Sequence, residues 1–368
     1  MKKKIIHFIF NLGRGGAETM VVRVIKELPE YDHVVVTLFP MNHWGNELQC
    51  SKFICLDLSS LFSLPFAVFK FRRTVKKEKP AIIHTHLFWP TVIARLSVPK
   101  KIPVITTIHA FIKTSIEYKN WHVRFLDKFT YKLRKNIIIG VAKGATNEYF
   151  SLLQLKPYKA YTLYTFVDVN RFNILHTNNA VVSPVFKVVS VGALRMQKNY
   201  LWSVKAFEKL KDQNIELHIY GDGNMQQEIQ QQINATGAKV ILKGQVKNIE
   251  EIVPQYDLYL MASTYEGFSL SVLEAMAMNM PLLLSDITSF KEQCEDTAAY
   301  FSLTDEDDLS TKLVAFSKKN KEELKTMAEK GRQRAIEHFT LSQHVAGLRK
   351  IYTEALGANE GAAMVTAF

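Results

Sequence analysis

The chain has 368 residues, 47% apolar and 22% charged, with 16 glycines and 11 prolines; that length suits about two domains of roughly 100–200 residues each and excludes a disordered, collagen-like or low-complexity chain. The net charge of +12 is uneven: residues 1–180 carry 27 Lys and Arg against 11 Asp and Glu, a net +16, while residues 181–368 carry a net −4, so the first half is expected to face something anionic, whether nucleic acid, a phospholipid surface or a phosphorylated substrate. No apolar run approaches the roughly 20 residues that span a bilayer, and the start MKKKIIHFIFNLGRGG lacks a small-residue cleavage site; Cys50, Cys55 and Cys294 form no CxxC pair, which argues against a disulfide framework or zinc cage and for a reducing, cytoplasmic compartment.

Short apolar strands alternate with helical patterns along the whole chain. The first half predicts strands at Lys4–Phe10, His33–Phe39, Ile82–His86, Val104–His109 and Ile137–Val141, with a helix over Ala17–Leu28. The second half predicts strands at Lys187–Val191, Glu216–Tyr220, Lys239–Lys243, Asp257–Met261 and Pro281–Leu284, with helices over Tyr200–Leu210, Met225–Ile233 and Leu270–Met278. Most strands are continuous apolar runs, the pattern of parallel strands buried on both faces. The expected architecture is α/β, with two doubly wound Rossmann-like domains at 1–173 and 185–340 joined by a polar linker at 174–184. Residues 341–368 form a C-terminal helix, expected to cross back to the first domain, and a tail; the last dozen residues are too weakly patterned to receive structure. Ligands of such sheets sit outside the carboxyl ends of the strands, which is where the motifs fall.

The first βα turn runs Asn11-Leu12-Gly13-Arg14-Gly15-Gly16-Ala17-Glu18. Its glycines either let backbone N–H groups approach an anion or serve a tight turn needing positive φ. A dinucleotide fingerprint would require glycine where Glu18 stands, so NAD binding is not expected. Val191-Gly192-Ala193-Leu194-Arg195-Met196-Gln197-Lys198-Asn199 follows a strand and opens a helix. Arg195 and Lys198 there could clamp a diphosphate or be solvated loop charge. A second glycine turn, Gly221-Asp222-Gly223, closes the next strand.

The strongest signal is Glu266-Gly267-Phe268-Ser269-Leu270-Ser271-Val272-Leu273-Glu274. Glu274 lies among apolar neighbours, where a carboxylate is costly without a partner. A sugar or ribose hydroxyl pair would serve, and so would a capping box with Ser271; Glu266 could equally complement a helix dipole. His84-Thr85-His86 ends one strand and His109 another. The two neighbouring histidines are expected on opposite strand faces, so no shared metal is expected, and His109 could donate a hydrogen bond to a ligand.

Taken in order, these pieces resemble glycosyltransferase family 4, the retaining nucleotide-sugar transferases of GT-B fold. The resemblance covers nearly the whole chain through GGAE, IIHTHL, His109, YTFVDVNRF, VGALRMQKN, YGDGN, KGQVKNIEEI and EGFSLSVLEAMA. It implies a ribose-binding carboxylate at Glu274 and, at Glu266, a residue holding the donor-sugar hydroxyls. It also implies that Lys198 neutralises the leaving diphosphate, that His109 contacts the donor sugar, and that Gly15 and Gly16 lie near the phosphates and acceptor. Gly221, Gly267, Phe268, Ser269 and Leu270 complete the implied donor site, the resemblance assigning the acceptor to the domain at 1–173 and the nucleotide sugar to the domain at 185–340. Two positions depart from the pattern: Ala193 replaces the usual arginine, with Arg195 as its substitute, and Thr165-Phe166 replace the usual Asn-Gly pair.

The implied reaction moves a sugar from a nucleoside diphosphate to a hydroxyl of a glycan or lipid-linked acceptor in surface-polysaccharide or glycolipid synthesis, with retention and without metal or other cofactor. Two stretches mixing aromatics with cations, Leu64–Lys79 and Ile116–Lys135, suit either interfacial helices on an anionic membrane, placing the chain peripherally at the inner face, or ordinary helices packed on their own sheet. The competing readings are a nucleic-acid or anionic-surface binding module, a sugar-nucleotide epimerase of the same architecture, and a catalytically dead scaffold. No recognised RNA or DNA motif accompanies the basic residues, so nucleic acid is not expected as a partner.

Overall fold

The computed structural model describes residues 2–13, 15–58, 63–173 and 184–365. The expected linker therefore lies, but for Pro184, outside the described residues. Two units emerge: Met1–Thr165 with Leu341–Phe368, and Phe166–Thr340.

The first unit holds seven strands: β1 (Lys4–Ile9), β2 (Asp32–Thr37), β3 (Lys52–Cys55), β4 (Ile82–His86), β5 (Val104–Ile108), β6 (Asn136–Gly140) and β7 (Lys159–Thr162). They pair in parallel in the order β3-β2-β1-β4-β5-β6-β7. The second holds β8 (Phe186–Val191), β9 (Ile215–Tyr220), β10 (Val240–Gly244), β11 (Leu258–Met261), β12 (Leu282–Ser285) and β13 (Ala299–Phe301), ordered β10-β9-β8-β11-β12-β13 and again parallel. Both are doubly wound Rossmann-like sheets, as the apolar runs predict. Every residue of β4, β5, β6, β11 and β12 is buried, as expected when crossover helices cover both faces.

Three strands escape the sequence pattern: β3, β7 and β13. Each is three or four residues long, sits at a sheet edge and is partly exposed, so none carries the apolar run that marks a central strand. At the other end of the chain, the helix Leu341–Val365 continues through most of the last dozen residues, which were expected to lack structure.

The two faces of the first sheet differ. One buries Ile6, Phe8, Val34 and Ile83 against Phe71 and Val75 of the helix Leu64–Glu78, with Phe8 and Phe71 stacked at 4.1 Å. The other carries histidines, because register sets His7 beside His84. In both units the strand order reverses beside the first strand, between β1 and β4 and between β8 and β11. Those are the switch points where adjacent loops leave in opposite directions and open a crevice.

Candidate functional site

In the second unit the β8 and β11 loops meet at the switch point. Lys198 Nζ lies 2.8 Å from Glu266 Oε1, with only 14% and 10% of the two side chains exposed. Ser263 Oγ donates to the same oxygen at 2.8 Å. No described residue hydrogen-bonds Glu266 Oε2. The loops are latched by Thr264 N donating to Gln197 O at 2.9 Å and by Gln197 Nε2 donating to Tyr265 O at 3.0 Å. A pair this deep contributes little net stability, since desolvation offsets the Coulomb attraction. Its value lies in holding a cation and a carboxylate at fixed places in a crevice.

Two glycines make that placement possible. A Cβ at Gly192 would stand 2.9 Å from Lys198 Cε and 3.0 Å from Tyr200 OH, so glycine lets the lysine fold across the turn. Gly221 has φ +145°, and a Cβ there would run into the Gly192 carbonyl oxygen; only glycine meets both conditions. Arg195, by contrast, is exposed, and its guanidinium bonds to no described residue. The structure therefore brings Lys198 and Glu266 together and leaves Arg195 apart.

Glu274 is half-buried on the helix Leu270–Ala277. The N-cap of that helix is Ser269, without a side-chain cap bond, so Ser271 lies inside the helix and the Ser271–Glu274 capping box is not formed. Ser269 is clamped instead by the fully buried Gln293, whose Oε1 accepts from Ser269 N at 3.0 Å and whose Nε2 donates to Ser269 O at 2.9 Å. Phe268 packs edge-on against Phe339 at 5.0 Å. Gly267, Phe268 and Ser269 are all buried, so the segment from Glu266 to Leu270 is a braced turn. Beneath it Tyr259 donates to Val191 O at 3.3 Å, and burial pushes its phenol well up. Gln293, Ser263 and Gln197 were missed from sequence: each is an isolated polar residue whose role appears only once distant segments meet.

In the first unit the helix Gly16–Lys26 begins at the β1 turn, with Gly15 as N-cap at φ −93°. Neither Gly13, Gly15 nor Gly16 takes positive φ, so the tight-turn account of these glycines fails. A Cβ at Gly15 would press only on the flexible end of Glu18. Conformation does not demand glycine here.

The histidines correct an expectation. His84 and His86 share a face, with ring centroids 4.3 Å apart, because alternate residues of a strand point the same way. One ligand atom from each of His7, His84 and His86 falls within 4.8 Å of the others, the grouping that opposite faces were expected to prevent. His84 nevertheless spends Nδ1 on Tyr352 OH at 2.6 Å and Nε2 on Thr107 Oγ1 at 2.7 Å. His33 Nε2 donates to Leu28 O at 2.8 Å, so its Nδ1 accepts from His7 Nε2 at 3.0 Å and fixes both tautomers. His86 Nδ1 meets His109 Nε2 at 3.1 Å. Burial, then mutual repulsion, pushes His84 and His109 down to about 3 and His7 and His86 well below their usual range. These rings are neutral and largely hydrogen-bonded to one another and to hydroxyls.

Comparison with known proteins identifies the family and the fold. Residues 14–171 match the family model described as Glycosyltransferase Family 4, and residues 173–334 match Glycosyl transferases group 1. The N-acetylgalactosamine-N,N'-diacetylbacillosaminyl-diphospho-undecaprenol 4-alpha-N-acetylgalactosaminyltransferase of Campylobacter jejuni is 24% identical over 297 residues, 77% of this chain and 81% of that protein. The UDP-Gal:alpha-D-GlcNAc-diphosphoundecaprenol alpha-1,3-galactosyltransferase of Escherichia coli is 23% identical over 321 residues, 81% of this chain and 80% of its own. Among solved structures, Anabaena HepE in complex with UDP superposes with a TM-score of 0.81 at 16% identity, covering 95% of this chain and 100% of that one. The fold is that of the GT-B enzymes, and the chain belongs to glycosyltransferase family 4, with the group 1 module as its second unit: it is a glycosyltransferase.

Proposed function

We propose that this transferase moves a sugar from a nucleoside-diphosphate donor to a lipid-linked acceptor, with retention and without a metal ion, in building a surface glycan. The observation that carries it is the Lys198–Glu266 pair at the switch point of the second unit. Loss of the diphosphate is the difficult step, and an ammonium fixed in a poorly solvated crevice stabilises the developing charge without reorganising. Glu266 Oε2 supports a contact to donor-sugar hydroxyls, and Glu274 one to the ribose. Arg195, exposed and uncommitted, can reach a phosphate from the loop. Gly15, Gly16 and His109 take the parts of the reaction that lie in the first unit. The names of the Campylobacter and Escherichia relatives, both acting on undecaprenol-diphosphate-linked sugars, support the acceptor class.

No helix among the described residues is long and apolar enough to cross a membrane. A peripheral contact is supported by the helix Trp121–Lys132, where Trp121, Phe125 and Phe129 stand exposed at four-residue intervals beside Arg124, Lys128 and Lys132. The stripe continues to Leu133, also exposed. On the helix Leu64–Glu78 the exposed Phe66 and Phe69 are instead covered by Lys70 at 4.7 Å and Arg73 at 5.1 Å. Polybasic segments gain about 1 kcal/mol per cation near an anionic leaflet, and bare aromatics add insertion.

Donor hydrolysis in EDTA, followed by proton NMR with UDP-glucose, UDP-galactose and UDP-N-acetylglucosamine, tests the chemistry. Release of the α-anomer from one of them supports the reading; early release of the β-anomer contradicts retention, and strict dependence on added magnesium contradicts metal independence. Flotation with liposomes containing phosphatidylglycerol tests the membrane contact, which fails if no protein is recovered with the lipid at low salt.

A further inference from the structure

A pocket of about 90 Å³ opens in the first unit beside His109. Its apolar wall includes Phe88, Ile108 and Ile112, and its polar lining includes His109, Ser115 and Glu117. Behind it Asp127 is saturated: it accepts from Arg95, from Tyr118 OH and from Tyr149 OH. Thr91 is likewise engaged with the Leu87 carbonyl, and Thr107 with His84. The Ser115 hydroxyl, the Glu117 carboxylate and His109 Nδ1 make no hydrogen bond with any described residue. Three uncommitted polar groups of different kinds, a carboxylate acceptor, a hydroxyl and an imidazole, thus edge one apolar hollow.

The pocket's rim carries a second, independent mark. Leu87, which follows β4, caps the helix Phe88–Ser97 and lines the pocket, sits at φ 69°, ψ 169°, a region essentially reserved for glycine. A leucine is held there by the Thr91 hydroxyl on its carbonyl at 2.7 Å, and its side chain remains partly exposed. Backbone strain of this kind gathers at ligand-binding positions.

We propose that this pocket takes the acetamido group of an N-acetylated amino sugar in the acceptor, Glu117 accepting from the amide N–H, Ser115 donating to its carbonyl, and the methyl resting on Phe88 and Ile112. The hollow is too small for a whole pyranose and matches a group with one apolar and two polar ends. The proposal rests on the reading that the first unit serves the acceptor. Glu117 is exposed and Ser115 half-buried at the rim, so the pocket favours acetamido sugars over their 2-hydroxy counterparts by pairing both ends of the amide while its apolar wall takes the methyl.

The test is saturation-transfer NMR with methyl N-acetyl-α-glucosaminide and methyl α-glucoside on the full chain, repeated with Glu117→Ala and Ser115→Ala. The acetamido methyl should receive the strongest saturation, the glucoside should give at least a fivefold weaker signal, and both variants should cut the acetamido signal at least threefold while their melting response to nucleoside diphosphates is unchanged. No acetamido signal, equal signals from the two glycosides, or a signal untouched by both substitutions overturns the proposal. Displacement by UDP-N-acetylglucosamine but not by UDP moves the pocket to the donor sugar and overturns the acceptor assignment. A wild-type chain that responds to no nucleoside diphosphate fails the donor-site reading instead, and leaves the glycoside result to stand on its own.

Discussion

The two switch points share one topology and differ in chemistry. In the second unit the loops after β8 and β11 present an ammonium held by a carboxylate, Lys198 against Glu266 at 2.8 Å. In the first unit the strands that flank the switch point carry the imidazoles of His7, His84 and His86, with His109 just past the end of β5, all kept neutral by burial. A doubly wound sheet supplies the crevice, and the residues placed at its edge decide what the crevice can hold. Fixed charge suits a diphosphate; neutral donors and acceptors suit hydroxyl and amide groups.

Removing the charge on one side breaks this contrast most severely. Lys198→Ala should lower kcat by about 10²–10³, the usual loss when one preorganised donor to a developing anion is deleted. Lys198→Arg should restore only part, because Gly192 and Tyr200 shape the space for an unbranched amine. Steady-state kinetics at saturating donor checks both, and a Lys198→Ala enzyme with unchanged kcat would remove the charged half of the comparison.

Acid should act on the neutral half. His84 is held down to about 3 and His344, buried on the helix Leu341–Val365 with Nδ1 on the Tyr164 carbonyl at 2.7 Å, to about 4, while in the unfolded chain histidines titrate near 6.5. Between those limits the unfolded state binds more protons, so stability is full above pH 6.5 and is lost as pH falls toward 4. Each such histidine contributes a slope of roughly 1 kcal/mol per pH unit in that window. Urea melts at pH 7.5, 6.0 and 5.0 should show the decline, and a flat profile would contradict a neutral buried cluster.

A smaller effect should follow Tyr352→Phe, which deletes the hydroxyl that meets His84 Nδ1 at 2.6 Å. Leaving a buried nitrogen unsatisfied costs about 1–3 kcal/mol, or roughly 2–4 °C of melting temperature per kcal/mol for units of this size. Differential scanning calorimetry would register the loss without any change at Lys198.

How much of this was legible beforehand varied with the kind of signal. Central strands such as β4 and β11 announce themselves as apolar runs, and the Glu266 to Glu274 segment is a local string of distinctive residues. The edges β3, β7 and β13 are short and half wet, so period and apolarity both fail there. Gln293, Ser263 and Gln197 are single polar residues whose partners lie elsewhere in the chain. The histidine face was misjudged despite a simple rule: residues i and i+2 of a strand share a side, and His84 and His86 do. The glycines of the first turn were recognised by position, but only their φ values removed the account from turn geometry.

The most direct test of the central claim, that the second unit binds a nucleoside diphosphate through Glu274 and Lys198, is a thermal-shift measurement with UDP, GDP, ADP and CMP on the wild-type chain and on Glu274→Ala. Ligand at about 100 times its dissociation constant stabilises by roughly 2.7 kcal/mol, a shift of several degrees. The account predicts such a shift with one diphosphate and its loss in Glu274→Ala, with the unliganded melting temperature little changed. A folded wild-type chain that shifts with none of them, or an Ala variant that shifts as the wild type does, would contradict it.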